Sequence, residues 1–137
     1  MTERLFVVQE HNAIRAGLHW DLRFESNVGE YTSVGFGCGI SEHYKGKILR
    51  SFVVPKHRYP EFGETLLAIE VDDHPWDYRT FEGTIGPGYG QGTVKIVHSN
   101  VHRFSSFEDK KISWIHGNHK FVLVKGKDKN KWFWKCY

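Results

Sequence analysis

Residues 18–25 read LHWDLRFE, apolar and polar by turns, and the same two-residue period dominates the rest of the chain. Alternation of this kind puts every second side chain on one face of an extended strand, whereas a helix would scatter it around its axis. The pattern predicts strands at LFVVQ (5–9), LHWDLRFE (18–25), ILRSFVVP (48–55) and TLLAIEVD (65–72). It predicts four more at GTVKIVHS (92–99), KISWIHG (111–117), HKFVLVKG (119–126) and KWFWKCY (131–137). These segments are short, rich in Val, Ile, Phe and Trp, and separated by Gly, Pro, Asn or Asp. No helical period is sustained, although EFGETLLAI (61–69) could open with a helical turn. Many short strands in a small chain predict an antiparallel barrel or sandwich.

Two segments break the pattern. Residues 26–47 hold five glycines and read as a long loop or loose hairpin. Residues 83–92, GTIGPGYGQG, hold five more and a proline, and predict a tight, irregular turn. A glycine-rich phosphate loop needs a helix directly after it. Here TVKIV follows, so that reading is rejected.

A chain of 137 residues without a linker predicts one domain, 1–137. Aromatic residues make up 15% and lie along the whole length, which argues for a packed core. The net charge of +3 suits a nucleic-acid partner without requiring one. Cys38 and Cys136 form no CxxC pair, which predicts a reducing, intracellular and hence cytoplasmic setting. Neither a signal-peptide pattern nor an apolar run of membrane-spanning length is present, so no membrane partner is expected.

Within the second strand, Trp20, Leu22 and Phe24 share one face, while His19, Asp21 and Arg23 share the other. A turn at NAIRAG (12–17) lets the first strand bring His11 to the same row. Two imidazoles and a carboxylate make an open site for a divalent transition metal, and Arg23, one repeat further along, suits a phosphate beside it. Taken singly, each of these residues reads more simply as a structural or solvent-facing group. A second cluster, EVDDHPWDY (70–78), carries Asp72, Asp73, His74, Asp77 and Tyr78 at a strand end. His74 could act as a general acid or a donor to phosphate and Tyr78 as a second donor, or the segment is a plain polar turn. Lys56 ends another strand and adds positive charge. Lysines near the C-terminus alternate with Phe121, Trp132 and Trp134, which suits either a nucleic-acid backbone or a lysine-protected edge strand.

Together these segments resemble the 3′-phosphoesterase domain of bacterial DNA ligase D. QEHNAIRAGLHWDLRFE is similar to the family signature VQxHxARRLHYDLRLE, and LRSFVVPK to LKSWAVPKG. LAIEVDDHPWDYRTFEG, GYGQGTVKIV and HKFVLVKGKDKNKWFWKC follow in the family's order. The resemblance implies an all-β fold: a small antiparallel β-barrel with short helical turns and, here, a long Gly-rich insertion at 27–45. It implies His11, His19 and Asp21 as ligands of Mn²⁺, or of another divalent transition metal such as Zn²⁺ or Co²⁺. Arg23, Lys56, His74 and Tyr78 match its phosphate-contacting and catalytic set, and Gln9 and Asp72 match supporting positions in the pocket. The family spaces its metal histidines six apart rather than eight, Ala16 and Gly17 being the extra residues here, and commonly carries an arginine where Leu66 stands.

The function so implied is a stand-alone, metal-dependent phosphoesterase acting on DNA 3′ ends at a primer–template or nicked duplex. It would remove a 3′-terminal ribonucleoside or 3′-phosphate to leave a 3′-hydroxyl, with any DNA ligase or polymerase acting in trans. Two alternatives stay open: a DNA-end-binding module of the same fold with weak or no catalysis, and an iron oxygenase using the same two-His-one-carboxylate set.

Overall fold

The computed structural model describes residues 2–30, 46–88 and 90–137. Nine strands follow one another: β1 (Thr2–Ala13), β2 (Gly17–Asn27), β3 (Lys47–Val54), β4 (Thr65–Pro75), β5 (Gly83–Ile85), β6 (Gly92–Phe107), β7 (Lys111–His116), β8 (His119–Lys125) and β9 (Lys131–Cys136). The neighbours run β1-β2-β3-β4-β9-β8-β7-β6, and β6 pairs back onto β1, which closes an eight-stranded antiparallel barrel. All eight expected strands are present. The glycine-rich 83–92 segment is not turn alone, because its first three residues form β5 against the start of β6. EFGE forms a turn rather than helix, closed by Glu64 N–H donating to Glu61 O, and the helical turn comes later, as a 3-10 segment at Trp76–Thr80. Residues 31–45 of the expected insertion, with Cys38, lie outside the described residues. No helix among the described residues is long and apolar enough to cross a membrane.

The apolar face of each strand turns inward. Phe6, Val8, Trp20, Leu22, Phe24, Phe52, Phe104, Trp114, Trp132 and Trp134 belong to one buried cluster. Their rings meet edge to face as well as stacked, as in Phe24 against Phe52 at 5.7 Å and Phe52 against Trp132 at 5.0 Å, a favoured geometry for aromatic quadrupoles. This overturns the edge-strand reading of the C-terminal lysines and removes the aromatics from the nucleic-acid reading. β9 lies between β4 and β8, so it is no edge strand, and Trp132, Trp134 and Phe121 are core rather than stacking platforms for bases.

The interior also holds an ion pair. Arg50 is fully buried, with Nε donating to Glu70 Oε2 at 2.9 Å. Its Nη1 and Nη2 donate to the carbonyls of Glu108 and Asp109 at 2.8 and 2.9 Å, and its guanidinium lies 5.1 Å from the Trp132 ring centroid. It thereby ties β3 and β4 to the β6–β7 turn. Gly92 marks another tight place, where β6 starts against the end of β1. A Cβ there would stand 2.1 Å from the Asn12 carbonyl oxygen, so only glycine allows the approach.

Candidate metal and phosphate site

The β1–β2 hairpin sets out the row of polar side chains. Ala13 pairs with Gly17 across a three-residue turn, and counting outward pairs His11 with His19, Gln9 with Asp21 and Val7 with Arg23. The spacing of eight therefore places the two imidazoles directly opposite each other, and the longer turn is absorbed by Gly17 at φ +77°. Trp20, Leu22 and Phe24 point into the core, so His19, Asp21 and Arg23 lie on the outside of the barrel wall. They are buried nonetheless, Asp21 at 5% and Arg23 at 3% exposure.

The covering layer is the excursion between β4 and β6. Gln9 Nε2 donates to the carbonyls of Tyr78 and Phe81, at 2.9 and 3.2 Å, and pins the 3-10 segment over the row. His74 arrives through a bulge in β4. Val71 pairs with Ser51, but Leu49 pairs with His74 instead of Asp73. That extra residue turns His74 to the site face, while Asp73 is buried at 2% exposure.

Three ligand atoms converge. His11 Nδ1 is 3.5 Å from Asp21 Oδ2 and His19 Nε2 is 3.3 Å from Asp21 Oδ1, and the candidate ligand atoms of all three lie within 4.8 Å of one another. The far nitrogen of each ring faces a backbone carbonyl: His11 Nε2 donates to Gly90 O at 2.9 Å and His19 Nδ1 to Gly17 O at 3.1 Å. A carbonyl only accepts, so it holds the proton on the outer nitrogen and turns the inner lone pair toward Asp21. Outer partners of this kind fix the tautomer of metal-ligating histidines. Two lone pairs facing a carboxylate repel until a cation stands between them, and the donor set fits a divalent transition metal.

Arg23 stands beside this cluster. Its Nε donates to Gln9 Oε1 at 3.0 Å, Nη2 lies 3.4 Å from Asp21 Oδ2, and Nη1 is 3.1 Å from His74 Nδ1. A guanidinium has five N–H donors, so three such contacts leave two for a ligand. The Tyr78 ring centroid lies 5.1 Å from Arg23 Cζ and stacks on Phe81 at 4.9 Å. Burial pushes the Asp21 carboxyl up, but Arg23 and the two imidazoles pull it further down, well below the usual carboxylate range. Asp21 raises His11 in return, against the effect of burial. Burial pushes the Tyr78 hydroxyl up, so it remains a donor at neutral pH.

Burial, and then the Arg23 charge, press His74 down to about 4. Its Nδ1 is 3.1 Å from both Arg23 Nη1 and Asp72 O, a donor and an acceptor that select opposite tautomers, so the neutral ring can present Nε2 with or without its proton. A depressed folded value means that the unfolded ring takes up its proton first. The corresponding stability is present above pH 6.5 and is lost as pH falls toward 4. Wild type should lose on the order of 2 kcal/mol more than His74→Gln across that window, allowing for partial solvent screening. Thermal melts between pH 7 and 4 measure the difference, and parallel curves would contradict it.

The remaining expected residues sit differently. Asp72 is exposed and reaches the site through its backbone carbonyl, not its carboxylate. Lys56 follows β3 in an exposed loop near Glu64, whose carboxyl is lowered chiefly by the Arg58 hydrogen bond and least by the Lys56 charge. Leu66 is buried in the core opposite Trp134, on the inner face of the wall, so this position does not look onto the phosphate site. The carbonyls of Gly17, Phe81 and Gly90 went unforeseen, since a main-chain acceptor leaves no mark on a sequence. The glycine-rich 83–92 segment was the available signal for Gly90, whose missing side chain leaves the His11 ring close by: an added Cβ would lie 3.7 Å from His11 Cε1.

Comparison with known proteins gives the family. The DNA Ligase D 3′-phosphoesterase domain matches residues 42–135, more than half of the chain. The chain belongs to this family. It is 35% identical over 103 residues to the multifunctional non-homologous end joining protein LigD of Mycolicibacterium smegmatis, covering 74% of this chain and 11% of the relative. The corresponding protein of Pseudomonas aeruginosa is 30% identical over 128 residues, covering 93% of this chain and 12% of the relative. The chain thus spans roughly an eighth or less of the curated relatives it matches. The family match itself starts beyond the His11–Arg23 row, whereas the longer Pseudomonas alignment takes that row in.

Proposed function

We propose that this member of the family is a divalent-metal-dependent phosphoesterase acting on DNA 3′ ends, removing a terminal ribonucleoside or 3′-phosphate to leave a 3′-hydroxyl. The observation that carries this reading is the convergence of two carbonyl-held imidazoles and the Asp21 carboxylate, with the donors of Arg23 beside them. His11, His19 and Asp21 would hold the ion, Mn²⁺ being our assignment within the transition-metal class, and it would supply Lewis acidity toward a phosphoryl oxygen.

The chain's own residues do the rest. Arg23, fixed by Gln9 and Asp21, offers its two remaining N–H groups to phosphate oxygens and meets the charge that grows on them. Neutral His74 offers a hydrogen bond from Nε2 to the leaving oxygen, stabilising the charge that develops there, and the Tyr78 hydroxyl orients the phosphate from the covering layer. Gln9 acts as a positioning residue, holding both Arg23 and the 3-10 segment. The relatives' names place them in non-homologous end joining, and we assign this chain to the same repair process, with a DNA ligase or polymerase as its partner.

The test is a primer–template ending in a 3′-ribonucleotide or 3′-phosphate, incubated with Mn²⁺ and separately with EDTA. Wild type should convert both ends to 3′-hydroxyl only with metal, and His19→Ala should not. Absent conversion combined with salt-sensitive binding to 3′-phosphorylated ends would replace catalysis by an end-binding role.

A further inference from the structure

Three further histidines cluster away from that site. His98 and His102 lie on β6, where residues an even number apart share a face, and His116 ends β7. The β6–β7 register pairs Arg103 with Ile115, which brings His116 alongside His102. The candidate ligand nitrogens of the three rings lie within 4.8 Å of one another, and their centroids are 4.8 to 5.0 Å apart. The group faces the interior side of the wall, because His98 pairs with Val8 and the rings of His98 and His102 lie 5.7 and 5.9 Å from Phe6.

A structural role accounts for two of the rings. His98 Nε2 and His102 Nε2 are 2.8 Å apart and share one hydrogen bond. That bond gives no reason for a third imidazole at the same point. The tautomer points elsewhere: His102 Nδ1 donates to Ile115 O at 3.2 Å, so its Nε2 turns a lone pair into the cluster, the outer-partner arrangement already seen at His11 and His19.

We propose that His98, His102 and His116 form a second metal site, a three-imidazole site for Zn²⁺. An uncharged all-nitrogen set suits zinc better than Mg²⁺ or Mn²⁺, which favour oxygen ligands. On binding, the proton of His98 Nε2 moves to Nδ1, freeing the third lone pair without changing the charge of the ring. Three protein ligands leave a fourth tetrahedral position for water or a small ligand. His116 also lines an open cleft of about 270 Å³ with Tyr59, Phe62, His119, Phe121 and Cys136, which gives that position a route to solvent. The site would clamp β6 to β7 and stands independently of the phosphoesterase reading.

Zn²⁺ titration in competition with a chromophoric chelator tests this, using the His19→Ala protein so that the first site is disabled. One equivalent should still bind, and adding His102→Gln or His116→Gln should weaken it at least 100-fold while tryptophan fluorescence reports an intact core. Undiminished binding in both of these variants would overturn the proposal. Wild-type protein supplies a readout that needs no variant: long-range ¹H–¹⁵N spectra should show the side-chain nitrogens of His98, His102 and His116 shifting together with Zn²⁺. Shifts confined to His11 and His19 would refute the site.

Discussion

Asp21→Asn should lower phosphoesterase turnover by about 10³-fold or more, the scale expected when several kcal/mol of transition-state stabilisation are lost. The substitution keeps size and shape but removes the charge that the two lone pairs face and that balances Arg23 at 3.4 Å. The asparagine amide can donate to one imidazole, which removes much of the demand for a cation. Mn²⁺ affinity measured by calorimetry should fall together with turnover. The fold should persist, because the row lies on the opposite side of the wall from the core. Asp72→Asn is the matched control: its side chain is exposed and only its carbonyl meets His74, so activity should barely change. Equal activity of Asp21→Asn and wild type in Mn²⁺ would remove Asp21 from the mechanism.

Arg50→Met should cost about 3–5 kcal/mol of stability, the usual result of stranding one partner of a buried pair. Arg50 is fully buried and Glu70 is 4% exposed, so methionine fills the volume but leaves a carboxylate in an aromatic interior and two carbonyls without their donor. The effect should depend on pH with a definite sign. Burial already pushes the Glu70 carboxyl above its ordinary 4.5 despite Arg50. Without that charge it rises further, so the variant loses stability as pH climbs above 4.5 and regains some on acidification. Urea unfolding at pH 5 and pH 8 measures this, and adding Glu70→Gln should recover part of the loss at pH 8. A loss below about 1 kcal/mol at both pH values would show that the pair is not needed to hold the barrel.

These two residues show how differently parts of the molecule can be read in advance. Asp21 was legible because the strand around it alternates cleanly and the ten-residue spacing to His11 is even, so cross-strand pairing needed only a turn of the right length. Arg50 was not, because it occupies an inward position of an otherwise apolar strand and its partners, Glu70, Glu108 and Asp109, come from distant segments. His74 was named from its company of acids and a tyrosine. The bulge that delivers it cannot be seen in the alternation of 65–72, where an extra residue looks like any other.

The chain alone determined which side chains travel together. His19, Asp21 and Arg23 share a face, and Trp20, Leu22 and Phe24 the other, because a strand repeats every two residues whatever surrounds it. Tertiary structure decided what those faces meet. Closure of β6 onto β1 turned the aromatic face into a sealed core and left the polar row outside. The end of β4 and the excursion from it to β6 then buried that row with partners 51 to 79 residues away, in the contacts Arg23–His74, Gln9–Tyr78, Gln9–Phe81 and His11–Gly90. Most of these partners are backbone carbonyls, which every residue carries, so only the path of the chain in space could select them.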